Sequence, residues 1–292
     1  MFKKLVVLIT VVAVFGLSLT ACVPNGFYNP ITNKTISGSG EVITESRDVS
    51  NFERVDLQGI GNLEIVQGDE ESLTITADDN LMQYITTEVV GDTLEIGMKP
   101  NLSLDPSRTI EYKLVLKSVT SIALSGFGNI NSEGLTGDEL EVKLTGSGDI
   151  MLGNLESETL LVRISGFGDF EAQTISADRP TLEITGSGDI TVDELTAKDL
   201  AVKISGFGDA DLSGTTVDQD VQLLGSGNYN AEDLASESAV VKITGFGKAT
   251  LWATENLDIN ITGSGDVNYY GSPRITQSMS GFGKVNSLGD HK

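Results

Sequence analysis

Thr145-Gly146-Ser147-Gly148-Asp149-Ile150, followed twenty residues later by Ser165-Gly166-Phe167-Gly168-Asp169-Phe170, states the rule by which this chain is built. A glycine pair bracketing one residue starts at Gly126, Gly146, Gly166, Gly186, Gly206, Gly225, Gly245, Gly263 and Gly281. The steps between them are 20, 20, 20, 20, 19, 20, 18 and 18 residues. The bracketed residue alternates without a break: Phe127, Ser147, Phe167, Ser187, Phe207, Ser226, Phe246, Ser264, Phe282. Self-similarity at a fixed period marks a stacked-repeat architecture, in which each unit buries its apolar face only against its neighbours.

One unit shows what each copy forms. Leu140, Val142 and Leu144 alternate with Glu141, Lys143 and Thr145. Ile150 and Leu152 keep the same parity beyond the glycines, and Gly153-Asn154 turns the chain. Period-two alternation predicts half-buried strands. The fold expected is therefore an all-β solenoid of ~20-residue coils. Its strands stack ~4.8 Å apart, and nine coils make a rod roughly 40 Å long. The strict beat runs over residues 118–288. Residues 36–117 alternate less regularly, with degenerate glycine pairs at Gly38-Ser39-Gly40 and Gly59-Ile60-Gly61 and a helical turn expected near Asp79–Ile85. These residues are expected to form less regular coils that cap the core, because the terminal repeats of a solenoid must cover an open end.

Outside the repeats the chain has other signals. Residues 1–21 have the form of an export signal, with Lys3 and Lys4 ahead of the apolar run Leu5–Leu19. Leu19-Thr20-Ala21-Cys22 resembles the lipobox of bacterial lipoproteins. That resemblance implies cleavage before Cys22, lipidation of its sulfur and attachment to a membrane, each buried CH₂ contributing ~0.8 kcal/mol. Residues 22–35 are expected to be a flexible tether and residues 289–292 a polar tail. Lys284 and Lys292 are placed to discourage stacking on the open end.

The chain has 292 residues, with 19 Lys+Arg against 42 Asp+Glu and a formal charge of −23. Such a surface repels nucleic acid, which is not expected as a partner. One His (His291) and one Cys (Cys22) leave no material for a His-based triad, a His-rich zinc site or a disulfide framework.

Stacking turns each repeat position into a column. The residue after the second glycine is Asn129, Asp149, Asp169, Asp189, Asp209, Asn228, Lys248, Asp266 and Lys284. Four successive Asp need an offset for their mutual repulsion. Either Asp149, Asp169, Asp189 and Asp209 hold a cation such as Ca²⁺, or each bonds its own local backbone. The bracketed column faces outward by parity. Its rings either lie over the bare glycines of adjoining rungs or form an apolar recognition stripe of Phe127, Phe167, Phe207, Phe246 and Phe282 at ~9.6 Å intervals. Trp252 carries no inference by itself.

Ile36-Ser37-Gly38-Ser39-Gly40, Val49-Ser50-Asn51-Phe52, Ile65-Val66-Gln67-Gly68-Asp69-Glu70 and Gly126-Phe127-Gly128-Asn129-Ile130-Asn131 resemble a bacterial envelope family, the putative auto-transporter adhesin, head GIN domain family. The resemblance spans about residues 37 to 285. It implies a right-handed parallel β-solenoid exported to the envelope, with no established activity. No alternation of ~10-residue membrane strands follows the repeats. The function expected is a non-catalytic lipoprotein that holds a rigid acidic rod out from the cell envelope for adhesion, scaffolding or contact with an envelope protein or glycan. A sensor binding a cation or glycan is the alternative, and a carbohydrate-active β-helix enzyme a second. The near-uniform repeats, with no insertion to build a cleft, oppose the enzyme.

Overall fold

The computed structural model describes residues 34–291. The export signal, Cys22 and all but the last two tether residues lie outside the described residues, as does Lys292.

The N-terminal third holds β1 (Lys34–Ser37), β2 (Val42–Arg47), β3 (Arg54–Leu57), β4 (Asn62–Gln67), β5 (Ser72–Asp78), β6 (Ile85–Val90), β7 (Thr93–Met98), β8 (Leu102–Asp105) and β9 (Glu111–Leu116). The helical turn expected near Asp79–Ile85 is a single 3₁₀ turn, Met82–Tyr84. The strict repeats form β10 (Ser121–Leu124), β11 (Ile130–Thr136), β12 (Glu139–Leu144), β13 (Ile150–Ile164), β14 (Phe170–Ile184), β15 (Ile190–Ile204), β16 (Ala210–Leu223), β17 (Tyr229–Ile243), β18 (Ala249–Ile261), β19 (Val267–Tyr270), β20 (Arg274–Met279) and β21 (Val285–Gly289). They stack in parallel as a β-solenoid of about eight turns.

Each rung has two long sides and one short one. In β13, Ile150–Glu156 lies on one sheet and Thr159–Ile164 on the other, and Ser165–Asp169 returns the chain to the next rung. Ile150, Leu152, Leu155, Leu160, Val162 and Ile164 point inward and are buried, as the alternation requires. Each such aliphatic contributes ~1.5–3 kcal/mol through burial. Columns are filled by complementary size: Tyr229 stacks between Ala210 and Ala249. Its phenol donates to Gln219 Oε1 at 2.8 Å, Gln219 Nε2 donates to Ser236 Oγ at 2.7 Å, and Ser236 Oγ donates to the Trp252 carbonyl at 2.8 Å. This buried polar set is satisfied, as burial demands. The shortened repeats are absorbed by register shifts near the corner, between Val192 and Leu195 and again between Ala231 and Ala235.

The N-terminal region differs from the coils expected there. β3 and β4 form a regular rung, paired with β10 and β11 on one side and with β7 and β9 on the other. Spatial order thus departs from chain order: residues 54–67 lie between residues 93–116 and the later repeats. Beyond β9 the strands reverse. β5 is antiparallel to β9, β2 to β5, and β6 to β7. With Leu81, Met82 and Ile85 buried beneath them, these strands close the core. Alternation sets which side of a strand is buried, not which neighbour it meets or in which direction.

Candidate recognition surface

The short side carries the glycine pairs, and its geometry explains them. A Cβ built on Gly166 would stand 2.2 Å from the Gly146 carbonyl oxygen, and one on Gly168 would stand 1.8 Å from that of Gly148. The same conflict recurs down both columns. Only glycine lets the backbones of successive rungs approach so closely. Between the glycines the backbone is pinned, with Phe167 N donating to Gly146 O at 3.2 Å and Ser187 N to Gly166 O at 3.2 Å.

The bracketed side chains leave the rod. Phe127 is 67% exposed, Phe167 79%, Phe207 75%, Phe246 75% and Phe282 92%. The first glycines of the four inner Phe rungs (Gly126, Gly166, Gly206, Gly245) are buried, while Gly146, Gly186, Gly225 and Gly263 on the Ser rungs, and Gly281 on the open last rung, are only half-buried. Rings laid over the adjoining rungs would give the opposite pattern. The stripe is therefore a row of projecting aromatic side chains on alternate rungs, separated by serine, with its backbone held rigid.

In the Asp column the expected contact to the local backbone is replaced by one to the neighbouring rung. Each carboxylate reaches the next rung, not its own turn. Asp169 N donates to Asp149 Oδ1 at 3.1 Å, Asp189 N to Asp169 Oδ1 at 2.8 Å, and Asp209 N to Asp189 Oδ1 at 2.7 Å. Asn129 and Asn228 do the same from either end of the run. One oxygen of each Asp is thus engaged along the rod axis. Among the described residues no group of three or more His, Cys, Asp or Glu is arranged to hold a metal ion.

Two features escaped sequence reasoning. Trp252 stacks on His291 with ring centroids 4.1 Å apart and planes 5° apart, and His291 Nε2 lies 3.1 Å from Asp233 Oδ1. This pins the C-terminal tail beside the solenoid. No local signal links His291 to these residues, which lie 39 and 58 positions before it in sequence. The second is an open groove of about 930 Å³ on the outer face of β9, β4, β11, β13, β14 and β15, lined by Glu64, Glu111, Glu133, Glu171, Asp193 and Met151 among others. It is a shallow concavity of the sheet, formed without loop insertions.

Comparison with known proteins decides the family. The family model for the putative auto-transporter adhesin, head GIN domain, matches residues 51–174 and 171–273, well over half of the chain. The chain belongs to this family. Among solved structures, it is similar to a putative lipid binding protein from Parabacteroides distasonis at 27% identity, with a TM-score of 0.70, covering 87% of this chain and 100% of that one. It is similar at 25% identity to a putative adhesin from the same organism (TM-score 0.68, 87% and 100% covered) and to one from Parabacteroides merdae (TM-score 0.65, 87% and 99% covered). No curated protein matches the sequence. The matched span covers the Asp ladder and Phe127, Phe167, Phe207 and Phe246, and Phe282 lies beyond it.

Proposed function

We propose that this head GIN domain protein is a non-catalytic, exported rod, anchored through lipidated Cys22, that binds an envelope protein or glycan along its Phe side. The observation that carries this reading is the row Phe127, Phe167, Phe207, Phe246 and Phe282, each at least 67% exposed on a backbone that cannot yield. Exposed aromatic rings add large contact area at small ordering cost, and a row of them on an acidic surface points to an interaction site. Relatives described as adhesins agree with it. The Asp ladder is assigned a structural role, because one oxygen of each Asp serves the next rung.

The test is adhesion of beads coated with the chain to surfaces bearing a panel of glycans and envelope proteins. Wild-type beads should adhere to at least one surface, and the F167S/F207S/F246S triple should not, with melting unchanged. Equal adhesion by the two proteins, or none by the wild type across the panel, refutes the reading. Anchoring is tested by fatty-acid labelling in cells, which should be lost in C22S.

A further inference from the structure

The two ends of the rod are built differently. At the N-terminal end β2, β5 and β6 reverse direction and seal the core. At the other end β20 and β21 form the last rung and pair, among the described residues, only with β18 and β19. Their outer edges present free N–H and C=O groups, a template for another chain. His291 turns back onto Trp252, so the chain leaves this edge and does not cover it.

The inward columns also change character here. Leu257, Ile259 and Ile261 are followed by Ile275, Gln277 and Met279, and Val267 and Tyr269 by Val285 and Ser287. Ile275 and Met279 stand 38% and 41% exposed over a buried core. Two polar residues, Gln277 and Ser287, occupy inward positions. The charge changes as well. In a chain of net charge −23, residues 272–291 carry Arg274 and Lys284 against Asp290. This is the end where two copies repel least.

We propose that a second copy of this chain docks on this end, related by a two-fold axis that passes through Gln277 perpendicular to the sheet of β20. Rotation about that axis lays β20 antiparallel to its own copy and continues that sheet, while β21, whose register shifts at Leu288, lies beside its copy without a fixed pairing. Opposed residues of an antiparallel pair share a face, so inward residues must meet inward residues, and this axis satisfies that along β20. Ile275 meets Met279 of the second copy, closing the exposed column. Gln277 meets Gln277, and an amide, being donor and acceptor, is self-complementary where a charged group is not. Closed two-fold contacts of this isologous kind are the commonest in oligomers.

The contact is one rung, ~20 Å by ~10 Å, below the standard interface size. The dimer is therefore weak in solution and becomes effective when many rods engage together. Lys34 enters beside β8 at the sealed end, so the dimer carries its N-termini at opposite ends. Resting on the anchored rod proposed above, this makes it a contact between two surfaces.

The test uses the chain from residue 22 onward with Cys22→Ser, which retains the whole described core. Gln277→Cys is oxidised mildly and run without reductant. Residues directly opposed in an antiparallel pair have Cα atoms ~4.5–5.5 Å apart, within disulfide reach. This variant should cross-link about ten-fold faster than Thr276→Cys, which faces outward off the axis. Equal rates, or no cross-linking, overturn the proposal. Melting curves of each variant, all on the exposed last rung, establish that the fold is kept. Oligomers beyond the dimer in sedimentation would mean head-to-tail growth and would also overturn the proposal. Finally, beads carrying the chain by its N-terminal end should clump. A dimer that cross-links on the two-fold position without clumping overturns the contact between surfaces and leaves the two-fold contact standing, and neither result depends on the Phe stripe.

Discussion

Replacing Phe167 and Phe207 by Ser gives those rungs the residue that their neighbours already have, and it separates an aromatic row kept for recognition from one kept for packing. A fully covered Phe buries about 200 Å². With 79% and 75% of these residues exposed, only a fifth to a quarter of each is covered, about 40–50 Å². At ~25 cal/mol per Å² that is about 1 kcal/mol each and about 2 kcal/mol together, as an upper figure. Phe170, three positions from Phe167 but fully buried, provides the internal standard. Phe170→Ala removes a packed ring and should cost about 3–5 kcal/mol. For a domain of this size each kcal/mol shifts Tm by about 2–4 °C. The assay is thermal unfolding followed by circular dichroism near 218 nm, alongside the bead-adhesion measurement. The expected result is a small Tm loss for F167S/F207S, a larger one for F170A, and loss of adhesion only in the former. If the double Ser variant loses as much stability as F170A, the rings are packed in solution and the recognition argument fails.

Three further outcomes follow from the rung geometry. Gly168→Ala, whose Cβ would lie 1.8 Å from the Gly148 oxygen, should abolish folding or lower Tm by more than F170A does, while Gly59→Ala, with its nearest contact at 3.5 Å, should change stability by less than about 1 kcal/mol in the same melt. Asp189→Asn should be neutral or mildly stabilising at low salt, since Asn129 and Asn228 already fill the same ladder role; Asp189→Ala should cost about 0.5–1.5 kcal/mol, read from denaturant midpoints. Asp78 accepts from Ser107 Oγ (2.6 Å), Gly40 N (2.8 Å) and Ser107 N (2.9 Å). The Ser107 hydroxyl bond foremost, with the backbone donors, holds its carboxyl below the ordinary 3.8 despite burial. Its folded pKa is depressed, so its stabilisation is present above 3.8 and is lost as pH falls through the folded value. Asp78→Asn should therefore melt below wild type at pH 7, and the gap should close in acid. A gap that persists or widens in acid would refute the assignment.

Repeat, strand parity and outward Phe were all legible in the sequence, because each depends on short-range periodicity. A two-residue alternation sets which side chains are buried, and a 20-residue beat sets what stacks on what. The glycines too were visible, but their reason was not. They are required because stacked carbonyls leave no room for a Cβ, a contact between residues twenty positions apart. The same holds for the Asp column, whose partners lie one rung away. Tertiary structure alone decided the N-terminal third, where Ser72–Asp78 alternates just like a solenoid strand yet runs antiparallel to its neighbours. Period two is common to both directions of pairing, so pattern cannot distinguish them. Nor could it bring His291 to Trp252, or place residues 54–67 between later segments. Such neighbours are set by which closure of the whole core leaves the least apolar surface in water, and that is a property of the assembled rod.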